Sequence, residues 1–91
     1  MSYSKIDFII EKWASDNALH LYKEYKGEEV RSVEIINSVG KKHQIWIDPP
    51  RENKITVSAW NFKKKSKTWK VKYKQLESTL SEALNQVNNW K

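Results

Sequence analysis

The stretch ITVSAW at residues 55–60 decides the fold of this chain. Ile55, Val57 and Ala59 occupy every second position, and Thr56, Ser58 and Trp60 stand between them. Successive side chains of a β-strand point to opposite faces, so this alternation predicts a strand with one face toward a core. The other face of the strand must then meet water or a partner.

The same alternation recurs in four other parts of the sequence, and turn residues separate them. The alternating stretches are residues 19–25, 32–36, 44–48 and 68–74. The turns are residues 26–29, residues 40–42, the proline-rich loop 49–53 and the polar tip 63–66. Short connections favour pairing between strands that follow each other along the chain. The sequence therefore predicts a five-stranded antiparallel meander.

Helical periodicity appears before and after the strands. An N-terminal apolar face carries Ile6, Ile9, Ile10 and Trp13. This spacing predicts a helix over residues 4–15, with Ser4 as its N-cap and Asp7 in the capping-box position. A C-terminal apolar face carries Leu76, Leu80, Ala83, Leu84, Val87 and Trp90, which predicts an amphipathic helix over residues 76–90.

These elements predict one α+β domain over residues 1–91, with an N-terminal helix, the meander and a C-terminal helix. The most compact arrangement places both helices on one face of the sheet. The residues expected beneath them are Leu19, Leu21, Val33, Ile35, Ile45, Ile47, Ile55, Val57, Trp69 and Val71. The residues expected on the opposite face are His20, Tyr22, Glu34, Ile36, Trp46, Trp60, Phe62, Lys70, Lys72 and Lys74.

Large apolar side chains on that opposite face admit three interpretations. Loops or chain ends cover them, or they form a homodimer or partner-protein interface, or they stack nucleic-acid bases. An exposed apolar patch of this size usually marks an interface. In the third interpretation, Lys70, Lys72 and Lys74 would hold phosphates.

The positive charge is concentrated in residues 51–74. These residues hold nine basic side chains against one acid, a balance of +8, whereas residues 1–50 and 75–91 each sum to −1. A basic surface attracts polyanions, here a nucleic acid or an acidic protein. Lysine is a point charge that reads sequence poorly, and only Arg31 and Arg51 offer bidentate contacts to bases. The competing interpretation is a lysine-rich edge strand that resists aggregation.

The chain is therefore expected to be a non-enzymatic binding module that docks on a polyanionic partner. The candidate binding residues are Tyr22, Trp46, Arg51, Lys54, Trp60, Lys63, Lys64, Lys65, Lys67, Lys70 and Lys72.

Signatures of catalysis and metal binding are missing from the sequence. There is no cysteine, and both glycines, Gly27 and Gly40, fall in turns rather than in a phosphate-binding loop. A metal site would need His20, Glu34 and Asp48 to converge, and His43 beside two lysines is the one candidate for nuclease chemistry. We expect no enzyme activity, cofactor or metal. The sequence shows no signal peptide or membrane-spanning run, so a cytoplasmic protein without membrane contact is expected.

The general plan also resembles small bacterial immunity proteins, which neutralise toxins and are often Trp-rich, cysteine-free α+β domains. The similar features are residues 11–13 (EKW), residues 44–48 (QIWID) and the amphipathic helix that ends at Trp90. The resemblance implies a protein that caps the active surface of a toxin, and the basic hairpin would suit an acidic partner. An immunity protein against a basic nuclease is usually acidic, so the charge argues against that pairing.

Overall fold

The computed structural model describes residues 3–36, 39–60 and 66–89 and has the predicted α+β order. Helix α1 spans Asp7–Asp16 and is followed by strands β1 (Leu21–Tyr25), β2 (Glu28–Ile36), β3 (Lys42–Ile47), β4 (Lys54–Trp60) and β5 (Ser66–Lys72). A 3₁₀ turn, Tyr73–Gln75, leads into helix α2, Leu76–Asn89. Tyr73 and Lys74, which the alternation placed on the last strand, belong to this turn. Phe62 and Trp90 lie outside the described residues.

The sheet is an antiparallel meander with strand order β1-β2-β3-β4-β5, as the sequence predicts. The β1–β2 turn consists of Lys26 and Gly27, with φ angles of +51° and +83°. Positive φ at both central residues matches the right-handed twist of the flanking strands. Arg51 and Lys54 pair across a similar turn, in which Glu52 and Asn53 have φ angles of +50° and +66°. These two turns lie at the same end of the sheet.

Both helices pack on one face of the sheet and enclose a single core. The buried apolar residues are Tyr3, Ile6, Ile10, Trp13, Ala14, Val33, Ile35, Ile45, Ile47, Ile55, Val57, Ala59, Leu76, Leu80, Ala83 and Val87. Four of the predicted core residues, Leu19, Leu21, Trp69 and Val71, are only half-buried. They lie on or beside β1 and β5, and an edge strand has a neighbour on one side only.

The predicted capping of α1 is wrong. Ser4 does not cap the helix: Ile6 occupies the N-cap position without a side-chain hydrogen bond, and the amides of Ile6 and Asp7 donate to the carbonyl of Tyr3 at 2.9 and 2.8 Å. Residues 3–6 form a turn that delivers Tyr3 and Ile6 to the core. Asp7 is free of the capping box because its carboxylate faces β2.

Arg31 anchors this N-terminal turn to the sheet. Its guanidinium is 4.4 Å from the centre of the Tyr3 ring, and its Nε donates a 2.7 Å hydrogen bond to Asp7. The Tyr3 hydroxyl donates to the carbonyl of Ile47 at 2.9 Å. Burial, followed by the nearby Asp48 carboxylate, raises the pKa of Tyr3 above its ordinary value of 10.0. Arg31 is therefore a structural residue.

Candidate interface on the open sheet face

Neither helix packs on the second face of the sheet, which we call the open face. Strand pairing brings side chains of all five strands into rows across it. One row contains Tyr22, Ser32, Trp46, Ser58 and Thr68, and the next contains Glu34, Gln44, Trp60 and Ser66. The open face therefore holds the three predicted aromatic residues, Tyr22, Trp46 and Trp60.

Four exposed cations lie at the end of the open face where β4 begins and β5 ends. Lys54 pairs directly with Lys72, Lys70 pairs with Thr56, and Arg51 pairs with Lys54 across the turn. We call Arg51, Lys54, Lys70 and Lys72 the basic corner. Like charges directly opposite each other on neighbouring strands destabilise a sheet. The basic corner therefore carries an electrostatic cost in the absence of an anion.

Four cations elsewhere in the described residues have carboxylate partners, whereas Lys5, Lys26, Lys67 and Lys74 form no ion pair there. Lys12 bonds Asp16 at 2.8 Å and Lys23 bonds Glu11 at 2.7 Å. Lys42 lies 3.7 Å from Glu34, and Arg31 contacts both Asp7 and Glu29. Within residues 3–36, 39–60 and 66–89, no side chain of the basic corner forms an ion pair. The basic corner is therefore a cluster of four neighbouring cations without ion pairs in the described part of the protein.

A cavity of about 670 Å³ opens beside the basic corner. Its walls are Asp48, Pro49, Arg51, Glu52, Lys54, Thr56 and Lys70. Three of these residues are cations and two are anions, and Thr56 adds a hydroxyl group. An oxyanion in the cavity would meet Lys54, Lys70 and Thr56, while Asp48 and Glu52 would weaken its binding.

Aromatic rings on β1, β3 and β4 share the open face with the basic corner. Tyr25 lies 5.7 Å from Trp46 between ring centres, with the planes at 89°. Trp46 pairs with Ser58, two residues before Trp60, so the two tryptophans are diagonal neighbours. We call Tyr25, Trp46 and Trp60 the aromatic strip. Trp46 and Trp60 are half-buried and Tyr25 is 52% exposed.

Tyr25 reaches the open face because of an irregularity that the alternation did not predict. Strict alternation over residues 19–25 predicts that Tyr25 lies on the same face as Leu19 and Leu21. The pairing of β1 with β2 shifts between Tyr22 and Glu24, which is the signature of a β-bulge. Between the pairs Tyr22–Ser32 and Glu24–Glu29, β1 advances by two residues and β2 by three, so β2 carries the extra residue. Beyond this shift the ring of Tyr25 lies against Trp46 of the open face. Tyr25 was therefore missed as a site residue.

Lys67, the remaining predicted cation within the described residues, does not join the basic corner. Lys67 pairs with Ala59 on the helix-bearing face, and its ammonium lies 5.2 Å from the centre of the Trp69 ring. Lys63, Lys64 and Lys65 lie outside the described residues.

Candidate residues for other chemistry are buried or dispersed. His43 is 1% exposed, faces the helices, and places Nδ1 3.0 Å from the carbonyl oxygen of Lys41. The described residues contain no group of three side chains able to hold a metal ion. No helix in the described ranges is both long and apolar enough to cross a membrane.

Comparison with known proteins was made for the whole chain. No family model matches it, and no curated protein or solved structure is significantly similar to it.

Proposed function

We propose that this chain is a non-enzymatic module that docks on a polyanion through the basic corner and the adjoining open face. The observation that carries the proposal is the direct pairing of Lys54 with Lys72, without a carboxylate partner for either in the described residues. A bound anion would relieve the repulsion between these lysines. The gain on binding is therefore larger than at a surface whose cations are already paired.

Protection of an edge strand against aggregation explains only some of the cations in the basic corner. Lysines on β5 would hinder pairing with another sheet, because β5 is an edge strand. Lys54 lies on β4, which is paired on both sides, and Arg51 lies in the preceding loop. Cations that converge from β4, β5 and a loop support a binding site better than they support edge protection.

The composition of the basic corner favours recognition of charge over sequence. Three of its four cations are lysines, which act as point charges. Arg31 is held by Asp7 and Glu29, so Arg51 is the basic corner's single guanidinium group. We therefore expect contacts to backbone phosphates or carboxylates and a strong dependence of affinity on salt.

The proposal is tested by measuring affinity for heparin and for labelled oligonucleotides at several salt concentrations. The double variant Lys54→Gln/Lys72→Gln should bind more weakly, and its log–log salt slope should be smaller by about 1.4–1.8 for nucleic acid. The matched control Lys12→Gln/Lys23→Gln removes the same charge from lysines that pair with carboxylates of α1, and it should bind like the unmodified protein. Equal losses in both variants would show that net charge alone drives binding and would contradict the proposal.

The alternative that follows from the resemblance is an immunity-type inhibitor of a toxin. Its partner would be a protein with an acidic surface. Failure to bind heparin or any nucleic acid at low salt would contradict polyanion docking and leave this alternative.

A further inference from the structure

We infer that the polyanion is a single-stranded nucleic acid, whose phosphates meet the basic corner while its bases stack on the aromatic strip. This inference rests on the proposed function and deepens it. The observation behind it is that the uncompensated cations and the aromatic rings share one uncovered sheet face.

The ring of Trp46 is held in place and its polar group is satisfied. Its indole N–H donates a 2.9 Å hydrogen bond to the side-chain oxygen of Gln44. Its cross-strand neighbours are Ser32 and Ser58, which are too small to cover an indole. A fixed ring with small neighbours offers a base a stacking surface at little entropic cost.

Tyr25 and Lys26 border this stacking surface at the end of β1. Tyr25 stands perpendicular to Trp46, and the ammonium of Lys26 lies 5.3 Å from the centre of the Tyr25 ring. Cations therefore flank the Tyr25–Trp46 pair on both sides, with Lys26 on one side and the basic corner on the other. A strand crossing the face would meet positive charge before and after its stacked bases.

The spacing between rings and cations suits a short single-stranded segment. Trp46 lies two strands from Thr68, and Lys70 is two residues further along β5. With ordinary strand spacing, the backbone positions of Trp46 and Lys70 are about 12 Å apart. Sheets with stacking aromatics hold two or three bases, which is the extent of the aromatic strip.

Phosphates would gain less at the other end of the open face, where the described cation Lys42 is already paired. Glu34, paired with Lys42 at 3.7 Å, lies in the row of Trp60, away from the basic corner. Duplex recognition would instead need an element that enters a groove. The described open face is a sheet surface with turn residues at one edge, and both helices are on the other side.

The test compares ligands that differ in one property. A labelled 12-nucleotide single strand, its duplex, an abasic oligomer of the same length and heparin are titrated by fluorescence anisotropy. We expect the single strand to bind about tenfold more tightly than either the duplex or the abasic oligomer. Heparin should bind through charge alone.

Two variants separate stacking from charge. Trp46→Ala should lower single-strand affinity about tenfold and leave heparin affinity unchanged, whereas the control Phe8→Ala, which alters an exposed ring of α1, should change neither. Thermal unfolding checks that the variants are folded. If Trp46→Ala is unfolded, Tyr25→Ala takes its place, because the Tyr25 ring is more exposed. If heparin binds but duplex and abasic oligomer match the single strand, the inference fails and polyanion docking stands. If no anion binds, the single-strand inference and the proposed polyanion docking both fail.

Discussion

Arg31 of β2 donates two hydrogen bonds to the carboxylate of Asp7 in the first turn of α1, at 2.7 and 3.1 Å. The arginine side chain is 6% exposed and that of Asp7 is 26% exposed. The pair fixes α1 to β2. One face of β2 packs toward the helices, and the opposite face is part of the open face. Because the guanidinium of Arg31 is buried, the stability of the protein depends on the Asp7 carboxylate that neutralises it.

Asp7→Ala should therefore destabilise the protein by about 2 kcal/mol, because it leaves the charge of Arg31 with Glu29 alone. Urea unfolding measures the difference. Asp16→Ala is the matched control, since it removes a carboxylate of the same helix from an exposed pair with Lys12. Its effect should stay below about 0.5 kcal/mol. Equal losses of stability in Asp7→Ala and Asp16→Ala would show that the buried pair stabilises the protein no more than the exposed pair does.

Lys72→Glu should stabilise the sheet and weaken anion binding. The substitution replaces a repulsive cross-strand pair with an attractive one opposite Lys54. We expect a gain of about 0.5 kcal/mol in urea unfolding and at least a tenfold loss of affinity for heparin. The same change at Lys12, on the exposed surface of α1, should alter heparin affinity little. A destabilised Lys72→Glu variant would mean that Lys54 and Lys72 do not repel each other.

Asp48→Asn should tighten anion binding. Asp48 and Glu52 are the two carboxylates in the wall of the cavity beside the basic corner, and each repels an incoming anion. Removing one charge should raise the affinity for heparin about two- to fivefold at low salt, with a smaller effect as salt screens the charge. Asp16→Asn serves as the control on the opposite side of the protein. Unchanged affinity in Asp48→Asn would place the anion elsewhere.

Stability should decline above pH 10 partly because of Tyr3. Burial raises the pKa of Tyr3, so the folded protein holds the phenol proton more tightly than the unfolded chain does. The contribution is complete below the ordinary value of 10.0 and is lost as pH rises through the folded pKa. Tyr3→Phe should remove this part of the decline, and at neutral pH it should cost about 1 kcal/mol for the hydrogen bond to Ile47. If the stability of the unmodified protein and that of Tyr3→Phe decline in parallel above pH 10, ionisation of Tyr3 is not the cause of the decline.

The order of elements could be predicted because apolar residues recur with two clear periods. Alternation identified β3 and β4 and the faces of their side chains, and the spacing of Leu76, Leu80 and Val87 identified α2. These patterns reflect burial on one side of an element, which depends little on details elsewhere. The same reasoning placed Trp46, Trp60, Lys70 and Lys72 on one face.

The errors arose where a single backbone irregularity or partner decides the outcome. The register shift between β1 and β2 accompanies the placement of Tyr25 on the open face, and the composition of neither strand predicts it. Asp7 binds Arg31, 24 residues away, rather than serving a capping box. Lys67 was grouped with the other lysines by proximity in sequence, although its odd position on β5 puts it on the face of Trp69 and Val71. Charge density along a sequence is therefore not charge density on a surface.

The nearest-neighbour strand order also bears on how quickly the chain folds. Each strand hydrogen-bonds only to strands that precede or follow it, so every pairing closes a short loop at small entropic cost. The contact between α1 and α2 joins the two ends of the fold and closes the longest loop. We therefore expect the hairpins to form before α1 docks on α2, since that docking closes the longest loop.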